Sequence, residues 1–382
     1  MKKTLAALLI ALTIGSMTGC ASTPAIAPST ADPASQAAAP KEIPTLTISW
    51  GNEMHTGIMN LPFAAPELFK DKSARVNPLS DSHGEIIKDG EVIAIVNRVV
   101  TKGGAECATM MGQNHLDVAF TSSTAMLTAY DTGTELNIHA PIQCDGVAIA
   151  AVKDAPYSNF EELVAYAKKA DMPIKAGYHS AVSSPRIVLE SALSEAGLKV
   201  TEDPSEFDAD VLMVDLKGIQ NLIPSLTSKQ VDLWAGPAPN PQIAEETGVG
   251  KIIATLNDLP GGKWVNFPCC VLAARDEIYT KHPEVIDALA SITTDAANFA
   301  NDHKAEASKL ISPIIGVEED VLMMSNIVYT TKPDERFQNG IGIYFDAMTK
   351  MGKFNGRIAS KSFDEVKTEV FNFDSVNKLH QN

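Results

Sequence analysis

The groups best equipped for chemistry in this sequence are its cysteines. Cys269 and Cys270 are adjacent, Cys107 and Cys144 stand far from them, and Cys20 lies near the start. Two adjacent cysteines lack the two-residue gap of common zinc or iron–sulfur ligand pairs. The chain contains eight histidines, and they are scattered; only His55 and His179 fall beside segments that read as turns out of strands. A Cys107–His55 nucleophile pair is chemically conceivable but carries no local signature. The zinc-protease His-Glu-x-x-His, the nucleophile elbow Gly-x-Ser-x-Gly and the phosphate loop Gly-x4-Gly-Lys-Ser/Thr do not occur. The residue types therefore favour reversible capture of a ligand over turnover, with no cofactor expected and the question of a metal left open.

Four segments have the composition for such capture. Trp50-Gly51-Asn52-Glu53-Met54-His55-Thr56 offers an aromatic face, a glycine for close backbone approach and a polar ring. Thr101-Lys102-Gly103-Gly104-Ala105-Glu106 places a glycine pair at a helix start, where free amides and the helix dipole favour an anion or polar group. Thr121-Ser122-Ser123-Thr124 repeats the design with hydroxyls, although Ser122 or Ser123 serves equally as a plain helix cap. His179-Ser180-Ala181-Val182-Ser183-Ser184-Pro185-Arg186 combines hydroxyls with Pro185 in a first helical turn and Ser184 as cap. Arg186 there either meets an anion or pairs with Glu190 one turn on. The expected ligand contacts are Trp50, Asn52, His55, Gly104, Ser122 and Ser123, then Ser180, Ser183 and Asn240.

The elements that must position these loops alternate short apolar runs with amphipathic stretches, which indicates an α/β fold. Strands are expected over 46–50, 92–100, 117–120, 137–152, 173–178, 211–215, 231–235, 251–255 and 265–274. Helices are expected over 105–112, 123–130, 159–170, 184–196, 219–228, 239–247, 283–303 and 341–351. The stretch 65–90 shows no period and reads as irregular. Two long runs, Ile142 to Ala150 and Phe267 to Ala274, both open on cysteine. The residues between them suffice for a compact lobe of their own. The economical architecture has two lobes joined by two crossings: 44–147 with 268–382 in the first lobe, including C-terminal helices, and 148–267 in the second. Cys144 and Cys269/Cys270 would then begin neighbouring hinge strands, with Cys107 close by. A hinge disulfide of Cys144 with Cys269 or Cys270, free buried thiols, and a thiolate site for a soft metal or cluster are the three readings.

The layout resembles the type II periplasmic binding proteins of ABC transporters, most of all the nitrate/sulfonate/thiamine-precursor group. The segments that carry the likeness are Leu46 to Gly51 with His55-Thr56-Gly57, Gly103 to Glu106, and Gly112 to Phe120. Gly177 to Ser180 and Leu222 to Asp232 continue it. The resemblance implies two lobes, each a mixed sheet flanked by helices, that close on a small polar or anionic solute. It also implies partners: an ABC permease with its ATPase, served by a monomeric binding protein. A sensory or adaptor lipoprotein using the same closure, and a cysteine-dependent metal protein or enzyme on the same fold, are the alternatives.

The first residues give the address. Lys2 and Lys3 precede an apolar run from Leu5 to Ile14, then Met17-Thr18-Gly19-Cys20. This reads as a secretory leader over 1–19, too short to span a bilayer. Its end resembles a lipobox, in which Cys20 is acylated and becomes the mature N-terminus. Residues 20–43 are Ala-, Ser-, Thr- and Pro-rich and read as a flexible tether. The expected product is a lipid-anchored extracytoplasmic protein. A formal charge of -16 opposes nucleic-acid binding by phosphate neutralisation.

Overall fold

The computed structural model describes residues 42–381. The leader, Cys20 and most of the tether lie outside that range. Among the described residues the strands are β1 (Thr45–Ser49), β2 (Ala74–Ser80), β3 (His83–Lys88), β4 (Glu91–Val99), β5 (Val118–Ser122), β6 (Leu136–Pro141), β7 (Gln143–Cys144) and β8 (Val147–Val152). They continue as β9 (Ile174–Tyr178), β10 (Val200–Thr201), β11 (Val211–Asp215), β12 (Leu233–Pro237), β13 (Gly250–Thr255), β14 (Cys270–Arg275) and β15 (Val328–Tyr329). The fold is a mixed α/β one with two main sheets.

The first sheet has the order β2-β3-β4-β1-β5-β14-β6, and the second β10-β11-β9-β12-β8-β13. In each, three strands run parallel at the centre: β4, β1 and β5 in one, β11, β9 and β12 in the other. The chain leaves the first sheet after β6 and returns with β14, and each crossing delivers an antiparallel strand. β8 opposes β12 and β13, while β14 opposes β5 and β6. Helices cover both faces of these central strands, so β5 and β12 are buried at every position. That is why they read as unbroken apolar runs rather than as alternations.

Several elements differ from expectation for identifiable reasons. The run 137–152 is three strands: after Pro141 the chain leaves the first sheet and β7 pairs with β15, and Asp145 and Gly146, with positive φ of 58° and 75°, turn it again before β8. Asp145 is held there by Phe267, whose amide donates to its carboxylate at 3.0 Å while the Asp145 amide donates to the Phe267 carbonyl at 2.9 Å. The run 265–274 is a strand only from Cys270, since Trp264, Phe267 and Tyr344 form an aromatic cluster that draws the earlier residues inward. The stretch 65–90 contains the β2–β3 hairpin and leads into β4. β2, at the edge of the sheet, loses its alternation towards its exposed end. The Asp89-Gly90 turn, with φ of 51° and 90°, is the hairpin signal that the flanking apolar residues frame.

The C-terminal region supplies the long helix Pro283–Asp302, then Lys304–Ile315 and Glu335–Lys350. Pro283–Asp302 packs a row that includes Val285, Ile286, Leu289, Ile292 and Thr293. Among the described residues no helix is long and apolar enough to cross a membrane.

Candidate functional site

Ligands of open α/β sheets bind beyond the carboxyl ends of parallel strands, and here the two parallel triplets send their loops to one cavity of about 380 Å³. After β1 come Asn52, Glu53, His55 and Thr56; after β4, residues 100–104; and Thr121 and Ser122 end β5. From the second sheet come His179, Ser183 and Pro185 after β9, Ile219 and Gln220 after β11, and Pro237, Pro239 and Asn240 after β12. Cys269 and Cys270 close the wall where the chain returns to the first sheet. Phe120, Ile243, Ile315 and Val317 supply apolar lining.

Of the expected contacts, Asn52, His55, Gly104, Ser122, Ser183 and Asn240 line this cavity. Trp50 does not. Its ring is buried in the first sheet's core against Phe63, at 5.0 Å between centroids, with its Nε1 donating to Asn60 Oδ1 at 2.8 Å. Ser123 is likewise buried behind the wall; its amide donates to the Cys269 carbonyl at 2.9 Å and so positions that cysteine. Ser180 does not line the cavity either: it lines a smaller neighbouring cavity that shares Lys102, Gly103 and His179, and its Oγ accepts from the Ala105 amide at 3.3 Å. Ser122 acts as the plain cap, accepting from the Ala125 amide at 3.4 Å. The cap of the helix Ser184–Glu195 is Ser183, one residue before the expected Ser184.

Arg186 is not available to a ligand. Its Nε donates to Glu190 at 3.2 Å, Nη1 to the Ala181 carbonyl at 3.1 Å, and Nη2 to Glu202. Its guanidinium also lies 4.1 Å from the Tyr178 ring centroid. All three of these hydrogen bonds end on residues between Ala181 and Glu202.

The four described cysteines are free thiols, so the hinge disulfide is not formed. Cys144 lies in β7 opposite Val328 of β15, and burial pushes its thiol up to about 12. Cys107 hydrogen-bonds with Ser49 Oγ at 3.3 Å and Thr101 Oγ1 at 3.1 Å. Cys269 and Cys270 face each other through their sulfurs at 3.5 Å. They and His55 bring their donor atoms within 4.8 Å of one another, all three residues buried.

The His55 ring is fixed from two sides. Nε2 donates to the Gly146 carbonyl at 2.8 Å, and Nδ1 meets the Gln143 amide at 2.6 Å. Burial pulls its pKa down, but the Cys269 charge and its hydrogen bond outweigh that, and the ring titrates above its ordinary value. The Cys269 thiol is held well below its usual range by the hydrogen bond from Cys270, against burial and with His55 assisting. Burial pushes Cys270 well up, and the Cys269 charge adds to it. His179 is driven down to about 4 by burial and by the neighbouring His55 charge, and stays neutral.

Sequence reasoning missed Glu53, whose carboxylate accepts from the amides of His55 and Thr56 and shapes that turn. The turn chemistry of an acid two residues before His55 was the available signal. Ile315 and Val317 had none: they reach the cavity only through the packing of the C-terminal helices.

The model of the NMT1-like family matches residues 86–315, a stretch that contains His179, Cys269 and Cys270 but not His55. An uncharacterized protein of Methanocaldococcus jannaschii is 32% identical over 108 residues, covering 26% of this chain and 74% of that one. Among solved structures, the fold is similar to the periplasmic nitrate-binding protein of Synechocystis PCC 6803, at 14% identity, with 89% of each chain covered and a TM-score of 0.67. It is similar to the ligand-binding component of an ABC-type import system from Staphylococcus aureus with zinc bound, at 14% identity, 88% of this chain, 99% of that one and a TM-score of 0.66. The alkanesulfonate-binding protein of Xanthomonas axonopodis pv. citri, bound to MOPS, matches at 12% identity over 81% and 94% of the two chains, with a TM-score of 0.61. These structures share the two-lobed periplasmic-binding-protein fold.

Proposed function

The chain belongs to the NMT1-like family, and from that premise we propose that it is a lipid-anchored, extracytoplasmic solute-binding protein that delivers a small polar or anionic solute to an ABC importer. The observation that carries this reading is the single cavity fed by the carboxyl-terminal loops of three parallel strands from each sheet. A solute held there touches residues of both lobes at once, so it stabilises whichever arrangement brings them together. The lobes would be 44–147 with 268–382, and 148–267, hinged at the two crossings.

Three helices begin at the cavity wall, at Gly104, Ser123 and Ser184. Their first-turn amides suit a negatively charged or strongly polar group despite the acidic total charge. The likeness to nitrate- and alkanesulfonate-binding proteins points to the same class of solute.

A thermal-shift panel of nitrate, alkanesulfonates and other small polar solutes tests the reading. A true solute at about 100 times its Kd adds about 2.7 kcal/mol, and closure lowers the radius of gyration in solution scattering. A panel in which no small solute raises Tm would overturn it. Mass analysis of the mature N-terminus tests the anchor: acylated Cys20 supports it, and an unmodified N-terminus elsewhere removes it.

A further inference from the structure

The two adjacent cysteines, the buried imidazole beside them and the second histidine across the cavity have no task in holding a simple anion. We propose that Cys269, Cys270 and His55, with His179 from the second lobe, form a site for a thiophilic closed-shell metal ion of the Zn(II) or Cu(I) kind. The inference rests on reading the cavity as the solute site and assigns that solute its chemical class.

The geometry fits the ion. Two thiolates about 2.3 Å from one tetrahedral zinc lie about 3.8 Å apart, and the Cys269 and Cys270 sulfurs are already 3.5 Å apart. A sulfur and an imidazole nitrogen on the same ion are separated by about 3.6 Å. The three donors stand within 4.8 Å of one another, so about an ångström of contraction completes their half of the shell. The absence of the usual two-residue gap between the cysteines is thus met by the backbone: the two residues lie at the start of β14, where the chain bends in from the Trp264–Phe267 cluster.

The surroundings fit as well. Metal-bound imidazoles keep one ring nitrogen on a carbonyl, which fixes their orientation. His55 Nε2 is on the Gly146 carbonyl at 2.8 Å, which leaves Nδ1 to exchange its Gln143 contact for the ion. The Gln143 Oε1 is buried without a partner, and its Nε2 gives up the 2.6 Å contact to the ring when the ion takes Nδ1. His179 lines the same cavity, is 8% exposed, and its Nδ1 is buried with no hydrogen-bond partner. An imidazole from the other lobe makes the fourth donor of a Cys₂His₂ set, a combination that suits zinc and other thiophilic ions. Each thiol that binds releases its proton to solvent. The three helix starts then face whatever small anions the ion carries with it into the remaining volume.

The test uses the reduced, metal-free protein with Zn(II), anaerobic Cu(I), and Co(II) as spectroscopic probe. The expected result is one ion per chain and a thiolate-to-cobalt charge-transfer band. Cys269→Ser and Cys270→Ser should each weaken the band and lower Zn(II) affinity on the order of a hundredfold, the double variant should lose the band, and His179→Gln should lower affinity on the order of tenfold. Cys144→Ser should bind as the parent does. A cobalt complex without the thiolate band, or equal zinc affinity in the Cys269 and Cys270 variants, overturns the proposal. The band in the unmutated protein decides even where a variant misfolds. Uptake of a small anion by the metal-free protein, unchanged by Cys270→Ser, removes the metal but leaves solute binding intact. Failure of both the metal and the solute panel removes both readings.

Discussion

His55 reaches across 91 positions of sequence to donate its Nε2 proton to the carbonyl of Gly146 at 2.8 Å. One partner lies in the first loop of the cavity and the other at the crossing between the sheets. The contact works because residue 146 is glycine. A Cβ there would stand 2.8 Å from His55 Nε2, and its φ of 75° is one that side chains rarely adopt. Gly146→Ala should therefore cost about 2 kcal/mol of stability through backbone strain and crowding, and should weaken binding at the cavity by displacing the imidazole. Urea unfolding gives the first quantity and titration of the cavity ligand the second. A variant with unchanged stability and affinity would show that the ring does not depend on this residue.

Much of the frame was legible because its signals are local. Apolar runs bounded by turn residues marked β1, β5, β9, β11 and β12, and glycine or serine at helix starts marked the loops. Ser122 reaches the cavity because it ends β5, and Ser183 and Asn240 because they stand in the loops after β9 and β12. What stayed hidden depends on distant partners. Nothing near Asp145 announces that Phe267 will hold it in a turn, and Trp50 looked like a ligand face until Asn60 and Phe63 claimed it. Arg186 looked available because Glu202 and Tyr178, which occupy it, lie in other segments.

Ser180 joins the lobes beside the cavity by accepting from the Ala105 amide at 3.3 Å. Thr124 Oγ1 does the same nearby, donating to the Val182 carbonyl at 2.6 Å. Under the proposed closure neither bond would survive the parting of the lobes, so each would contribute to the closed form alone. Removing one hydrogen bond of this kind costs about 1 kcal/mol. Ser180→Ala should thus weaken solute binding about fivefold with little change in the unfolding of either lobe. Calorimetry on the variant checks it, and an unaltered Kd would mean that this contact is absent from the bound state.

Arg186 offers a test of structure against recognition. Its side chain is 2% exposed and bonded to Glu190, Ala181 and Glu202. Breaking a buried ion pair by deleting one partner costs about 3 kcal/mol because it strands the other charge. Glu202 is half exposed, which discounts that figure to about 2 kcal/mol. Arg186→Met should lower the unfolding free energy by that amount while leaving solute affinity near the parent's. A variant of normal stability with lost binding would return the guanidinium to the site.

Acid should weaken the protein through His139 as well as through its carboxylates. The ring is fully buried, neither nitrogen has a hydrogen-bond partner, and its nearest aromatic neighbour, Tyr279, lies 4.7 Å away. Burial drives its pKa from 6.5 down to about 4. The folded state holds the ring neutral, while the unfolded chain takes up a proton near pH 6.5. Between these values the unfolded state binds more protons, so stability is complete above pH 6.5 and falls as pH drops towards 4. The difference is worth about 3 kcal/mol when fully expressed. Urea midpoints measured from pH 7 to pH 4 should decline for the parent, and His139→Leu should make that decline shallower, with His179, depressed alike by burial, keeping its own share. If the variant declines as steeply as the parent over this window, the imidazole is not the group that the acid titrates.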